Sequence, residues 1–163
     1  MEVYALQVRP KDHPFPILAW LIMLLQGMNP FSKKAYSHNA IMFKGLDGKF
    51  LVIDSTSKSV RIQSDISSFK HYKFISQKKM PRPKDELSFI LWLQNILGRE
   101  YDKLQIFGLL LKMLHLISFN KMGADYNKMT CNEVILNYLE YHCDFYFGDP
   151  DNFDLIRTWE IIP

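Results

Sequence analysis

The chain has 163 residues, 48% of them hydrophobic and 14% aromatic, which suits one domain with a single core. That composition excludes a chain that stays disordered. A formal net charge of only +3 gives no global electrostatic case for nucleic acid, and no nucleic-acid partner is expected.

The first element in chain order is a short strand, Val3 to Val8 (VYALQV), ended by Pro10. Phe15 to Met28 (FPILAWLIMLLQGM) is the most apolar run, and its helix is expected over roughly 16–27, closed by Gly27 and Pro30. It is uncharged, but its fourteen residues fall short of the ~20 needed to span a bilayer. Arg9, Lys11, Asp12 and prolines precede it and no small-residue cleavage site follows, so it does not read as a signal peptide. A buried or interfacial helix is the expectation, with no transmembrane segment.

Tyr36 to Phe43 and Phe50 to Asp54 read as strands around a Gly45-Leu46-Asp47-Gly48 turn. Val60–Gln63 and His71–Ser76 are two more strands, followed by a linker over 77–84 that contains Pro81 and Pro83. From Asp85 the period changes: Leu87, Ile90, Leu91, Leu93 and Leu97 recur at helical spacing until Gly98 stops the helix. A second helix is expected over about 101–117, too apolar all round to be exposed, and a third over about 131–143. Asp154 to Ile162 looks like a final strand. The expected architecture is α+β, one domain over 1–163. Its antiparallel sheet would use the strands near 37–43, 50–54, 60–63, 71–76 and 156–162, with helices packed against it.

Charge is unevenly placed. Lys70, Lys73, Lys78, Lys79, Arg82 and Lys84 crowd the 70–84 stretch without an acid, whereas Glu140 to Glu160 carries six acids against Arg157 alone. Such a basic run is ordinarily a solvated face; a contact with an anionic surface is the alternative. Two cysteines are too few for a disulfide framework. Cys131 and Cys143 on one helix would lie ~18 Å apart, beyond the roughly 7 Å that a bridge allows. Free thiols and a reducing, cytoplasmic setting are expected.

Thr130-Cys131-Asn132-Glu133 fits the capping box S/T-x-x-E, which puts Cys131 in the first turn of a helix. Unpaired amides and the positive end of the helix dipole there favour a thiolate. Cys143, at the opposite end, has no such support, so Cys131 is the candidate nucleophile. Cys131, Ile135, Tyr138 and His142 also share one helical face, which fits a buried structural cysteine equally well. His38, at the start of a strand in Tyr36-Ser37-His38-Asn39-Ala40-Ile41, is the candidate base, since a thiol hydrolase needs an imidazole beside the sulfur. A surface or core histidine is the plainer reading of that residue by itself.

Taken together these residues resemble the permuted papain-like amidases, relatives of the NlpC-type cell-wall peptidases, in which the histidine strand precedes the cysteine helix. The Tyr36–Ile41 segment is similar to the family's "SH-x-A/G-I" strand. Leu51-Val52-Ile53-Asp54-Ser55 with Ser59-Val60-Arg61 is similar to its "V-I-E-A…G-V" segment. Tyr101 to Gly108 resembles its "Y-D-x-L-x-x-x-G" helix start, and Thr130-Cys131-Asn132-Glu133 its "C-S-E"; the acidic tail from Pro150 through Asp154 to Trp159 also has a counterpart. The likeness covers roughly 15–162.

The resemblance implies a permuted papain-like fold and Asp54 as the acid that orients His38, a shorter acid than the family's glutamate. A two-residue Asp47-Gly48 hairpin would pair Ile41 with Asp54 and turn Asp54 away from His38. A bulge or a different loop must intervene; otherwise Asn39, Ser55, Ser57 or water takes the role. The Cys131 backbone amide is one natural oxyanion donor, with Ser37 and Tyr126 as candidates for the second. No metal-ligand spacing or phosphate-binding glycine loop is present, and no cofactor is expected. The stripe Tyr138, Tyr141, Phe145, Tyr146, Phe147 reads as core and rim.

The function so implied is hydrolysis of an amide or peptide bond through an acyl-enzyme, with cell-wall peptide among the substrates of relatives. Two alternatives follow from the same likeness. One is a lipid acyl hydrolase or acyltransferase, to which the apolar helix 16–27 is suited. The other is a non-catalytic structural or interaction protein, such as a component of a viral particle, which would make a virion-associated location the alternative to the cytoplasm.

Overall fold

Val3, Ala5, Ile41, Phe43 and Ile53 are all buried in one cluster, and Leu6, Val8, Ala40, Met42 and Val52 in another. These odd and even positions fall on opposite faces because successive strand side chains point to opposite sides of a sheet. In this computed structural model, residues 1–11, 17–45, 47–55, 58–64, 72–104, 107–108, 111, 127–146 and 155–163 are described.

The fold is mixed α+β. Strands β1 (Val3–Pro10), β2 (His38–Lys44), β3 (Phe50–Ser55), β4 (Val60–Gln63) and β5 (Tyr72–Met80) form one sheet in the order β4-β3-β2-β1-β5, every pairing antiparallel. Helix α1 (Ile17–Leu25) connects β1 to β2. Helices α2 (Glu86–Ile96) and α3 (Cys131–Cys143) cover the odd face of the sheet, and a short α4 (Leu155–Glu160) follows near the C-terminus. Phe89 and Trp92 of α2 and Val134, Ile135, Tyr138 and Leu139 of α3 complete that core.

Two expectations are corrected. Residues 154–162 do not add a strand: the segment forms α4, and the sheet's fifth member is β1. Thr158 and, two residues past the helix, Ile162 are buried, and Lys78 Nζ donates to the carbonyls of Trp159 (2.9 Å) and Ile162 (3.1 Å). A cation on the last carbonyls satisfies groups that a helix end leaves unpaired.

The segment 77–80, expected as linker, continues β5. β1 lies between two strands, and its backbone groups need partners along its whole length; Val3 is paired with Met80 at the far end. Pro81, which lacks an N–H, follows directly.

The buried stripe of α2 is Phe89, Trp92 and Ile96, not the leucine series: Leu87 is 65% and Ile90 and Leu91 are each 49% exposed. Aromatic side chains that stack on Tyr138 and His142 of α3 decide the rotation of the helix.

The β2–β3 register is set out below. The remaining boundaries fall within a few residues of expectation. Gly98 stands at φ +82 just after α2, a left-handed conformation that glycine adopts without strain. The helix expected over 101–117 lies mostly outside the described residues, as do Ser57, His71, Tyr126 and 147–154 of the acidic stretch. No described helix is long and apolar enough to cross a membrane.

Candidate active site

The start of α3 is held from both sides. Thr130 is its N-cap: the Glu133 amide donates to Thr130 Oγ1 (3.4 Å), and the Thr130 amide donates to Glu133 Oε2 (2.5 Å). Upstream, the Met129 amide donates to the Glu100 carbonyl (2.7 Å), and Ser55 Oγ, at the end of β3, donates to the Met129 carbonyl (2.7 Å). The capping box thus sets where the helix begins, and the last residue of β3 sets where that beginning lies against the sheet. Cys131 is consequently a first-turn residue, buried, with Sγ 3.7 Å from Asn132 Oδ1. It packs with Tyr36, and Ile22, Met28 and Ile75 close around that pair.

His38 opens β2 and is hydrogen-bonded through Nε2 to Asp54 Oδ1. The register explains how they meet. Ile41 pairs with Ile53 and Lys44 with Phe50, so the connection from Gly45 to Lys49 has five residues, not two. In that turn the Gly45 amide donates to the Lys49 carbonyl (2.8 Å) and the Lys49 amide to Asp47 Oδ1 (3.0 Å). One residue of slip exchanges the faces of a strand. The longer loop therefore turns Asp54 to the side that carries His38, and the different loop required by the sequence is present.

Asp54 is fully buried, and its second oxygen is not left bare. Gln63 Nε2 donates to Oδ2 (3.2 Å), and the half-exposed Arg61 guanidinium lies 3.7 Å from it. Burial works against ionisation of Asp54, but the charges of His38 and Arg61 outweigh it and hold the carboxyl below its ordinary range. Burial likewise works against a charged His38. The Asp54 charge and then the Cys131 sulfur outweigh it, and the imidazole is raised well above its ordinary value. Because a carboxylate only accepts, Nε2 carries a proton, which leaves Nδ1 as the nitrogen that exchanges one. The Cys131 side chain thus lies close enough to the imidazole to act on its charge.

Asn39 does not orient His38: its Nδ2 donates to Asn132 Oδ1 (3.2 Å), across from the strand to α3. Ser55 serves Met129 instead. Ser37 is buried with its amide on the Val8 carbonyl (3.1 Å). Ser57 and Tyr126 lie outside the described residues.

Tyr101 carries no role in the sequence pattern, yet its phenol belongs to this neighbourhood. Burial, then the charges of Cys131, Glu133 and Asp54, then Tyr72, push its ionisation well up, keeping it a neutral donor. Its amide donates to the Lys58 carbonyl (3.3 Å), and Glu100 bridges to both Ser59 and Lys128. The only hint was its place at the head of the Y-D-x-L motif.

Both cysteines are free thiols at the two ends of α3. Burial and the Asp144 charge raise Cys143, the opposite of what a nucleophile needs. Among the described residues no group of three or more His, Cys, Asp or Glu side chains converges to hold a metal ion. Of the basic stretch, Lys78 binds the C-terminal turn, Lys79 pairs with Glu2 (3.0 Å) and Lys84 with Asp144 (2.7 Å). A cavity of about 830 Å³ opens at the far end of β2, against Phe43, Phe89 and Leu93, away from Cys131.

Comparison with known proteins finds no matching family model, curated protein or solved structure.

Proposed function

We propose that this chain is a thiol hydrolase of the permuted papain-like type, acting on an amide or peptide bond through an acyl-enzyme on Cys131. The observation that carries the reading is the His38–Asp54 hydrogen bond placed beside a cysteine at a capped helix start. Three groups 16 and 77 residues apart along the chain are brought together with the order a nucleophile, a base and an orienting acid require.

His38, oriented by Asp54, takes the Cys131 proton, and the resulting imidazolium lies beside the thiolate. The thiolate attacks the substrate carbonyl, and His38 passes its proton to the departing amine. Water, deprotonated by His38, then releases the acyl group as acid and restores the thiol. The first-turn amides of α3 have no acceptor within the helix, and the Cys131 amide is the natural donor to the oxyanion.

A second reading, an acyl-lipid substrate, is favoured by α1. Ile22 packs on the Cys131–Tyr36 pair, while Ile17, Leu21 and Leu24 of the same helix face solvent. The non-catalytic reading is the one that a labelling experiment separates from both. A thiol-directed electrophile followed by peptide mapping is expected to mark Cys131 at mildly acidic pH. Cys131→Ala is expected to abolish turnover with the fold intact, and His38→Ala to cut it ~10²–10⁴-fold. Adduct on Cys143 alone, or undiminished turnover in Cys131→Ala, would end the proposal.

A further inference from the structure

The residues that directly follow the base and the nucleophile in sequence are bonded to each other. Asn39, after His38 in β2, donates through Nδ2 to Oδ1 of Asn132 (3.2 Å), which follows Cys131 in α3. The same oxygen accepts from the Cys131 thiol, with Sγ at 3.7 Å. Asn39 is 0% exposed and Cys131 and Asn132 are each 6% exposed, so little solvent competes for that oxygen. Asn132 occupies the place of the serine in the C-S-E motif that this segment resembles, so the arrangement is not carried over from that family.

The chemistry of an amide oxygen sets its effect on the thiol. It only accepts, so Asn132 Oδ1 bonds Cys131 while the sulfur keeps its hydrogen and faces a lone pair once the hydrogen has gone. A hydrogen bond made only to the neutral form of a group disfavours the charged form. Turning the Asn132 amide over would set its Nδ2 against Nδ2 of Asn39, donor against donor, so the bond from β2 keeps the oxygen where it is. The start of α3 and a charged His38 act in the opposite direction, since both favour a thiolate.

We propose that Asn132 is a positioning residue that holds the Cys131 hydrogen in the resting protein, with Asn39 fixing its amide in the accepting orientation. The assignment rests on the thiol-hydrolase reading and extends it to the control of the nucleophile. At rest the S–H bond is directed at Asn132 Oδ1. For attack the hydrogen is turned from Asn132 to His38. The S–H bond then breaks, an N–H bond forms at Nδ1, and the electron pair left on sulfur makes the C–S bond to the substrate carbonyl.

The pH profile of iodoacetamide alkylation at Cys131 in the full-length chain, with peptide mapping of the adduct, reads the thiolate. Asn132→Leu removes the acceptor at similar volume, and the midpoint is expected to fall by about one pH unit, the size of one hydrogen bond. Asn132→Asp keeps an oxygen for the thiol and for Asn39 but adds a negative charge, and the midpoint is expected to rise. Asn39→Leu releases the amide and is expected to lower the midpoint by less than Asn132→Leu; it serves if Asn132→Leu does not fold. A role in packing alone gives no such opposition of sign. Midpoints that stay in place, or that move the same way in the apolar and the acidic variants, would overturn the assignment. Turnover of p-nitrophenyl acetate separates it from the reading on which it rests. Opposite midpoint shifts without turnover in the unaltered chain would remove the hydrolase reading and leave Asn132 as the acceptor of an unproductive thiol.

Discussion

At the scale of single residues, His38 and Asp54 stabilise each other's charged forms in a setting that would otherwise neutralise both. The pH dependence follows from the two directions. His38 is raised in the folded chain, so its contribution is complete below its unfolded value near 6.5 and is lost as pH rises through the folded value. Asp54 is depressed, so its contribution is present above its unfolded value of about 3.8 and is lost as pH falls through the folded one. Asp54→Asn removes the larger of the charges that raise His38. The His38 ring signals in an NMR titration are expected to move their midpoint down in this variant, and turnover is expected to fall, by less than in His38→Ala. An unmoved midpoint would mean that Asp54 does not govern the imidazole.

Among the elements, α3 carries opposite chemistry at its two ends. At its start the capping box frees the first turn for Cys131, and Thr130→Ala is expected to destabilise the fold by ~1 kcal/mol and slow alkylation of Cys131. Denaturant unfolding together with iodoacetamide kinetics checks both effects. At its end His142 is buried among Phe89, Trp92, Tyr138 and Tyr141 with neither ring nitrogen bonded. Burial, then the nearby Lys84 charge, lowers its pKa to about 4, with Asp85 opposing. The unfolded chain therefore binds this proton first, between about pH 6.5 and 4, and stability falls with pH across that window. The slope reaches at most roughly 1.4 kcal/mol per pH unit. His38 does not contribute there, because it is protonated in both states below 6.5. His142→Phe is expected to flatten the slope; an unchanged slope in pH-dependent chemical denaturation would place the titration elsewhere.

For the molecule as a whole, the sheet gathers distant segments, and its edges are closed by charge. β5 is an edge strand with lysines facing outward, a device that discourages pairing with other sheets. One of them, Lys78, has been turned to the C-terminal carbonyls and lies 5.5 Å over the Trp159 ring. Lys78→Met keeps the length of the side chain and removes the donor. Amide exchange in Trp159–Ile162 is expected to quicken in this variant while the β1–β2 amides keep their protection. Equal exchange in the two proteins would show that the turn holds without Lys78.

What the sequence determined by itself was local. The Thr130–Glu133 box, the stop at Gly98, the alternation in β2 and β3 and the free thiols at the ends of α3 all arise from interactions within a few residues of one another. Cys131 and His38 were legible for that reason, since a helix start and a strand start are both local signals. Tertiary structure decided everything that depends on which face of an element meets another. The five-residue loop turned Asp54 toward His38, where a two-residue turn would have hidden it. The aromatic contacts of Phe89 and Trp92 rotated α2 away from its leucines, and a segment patterned like a strand became the helix α4, its end held by Lys78 on the Trp159 and Ile162 carbonyls. The Asn39–Asn132 hydrogen bond, which ties β2 to the first turn of α3, was unreadable because neither asparagine carries a mark of a partner 93 residues away. Only the packing of α3 against β2 and β3 brings such groups together, and those contacts join parts of the chain far apart in sequence.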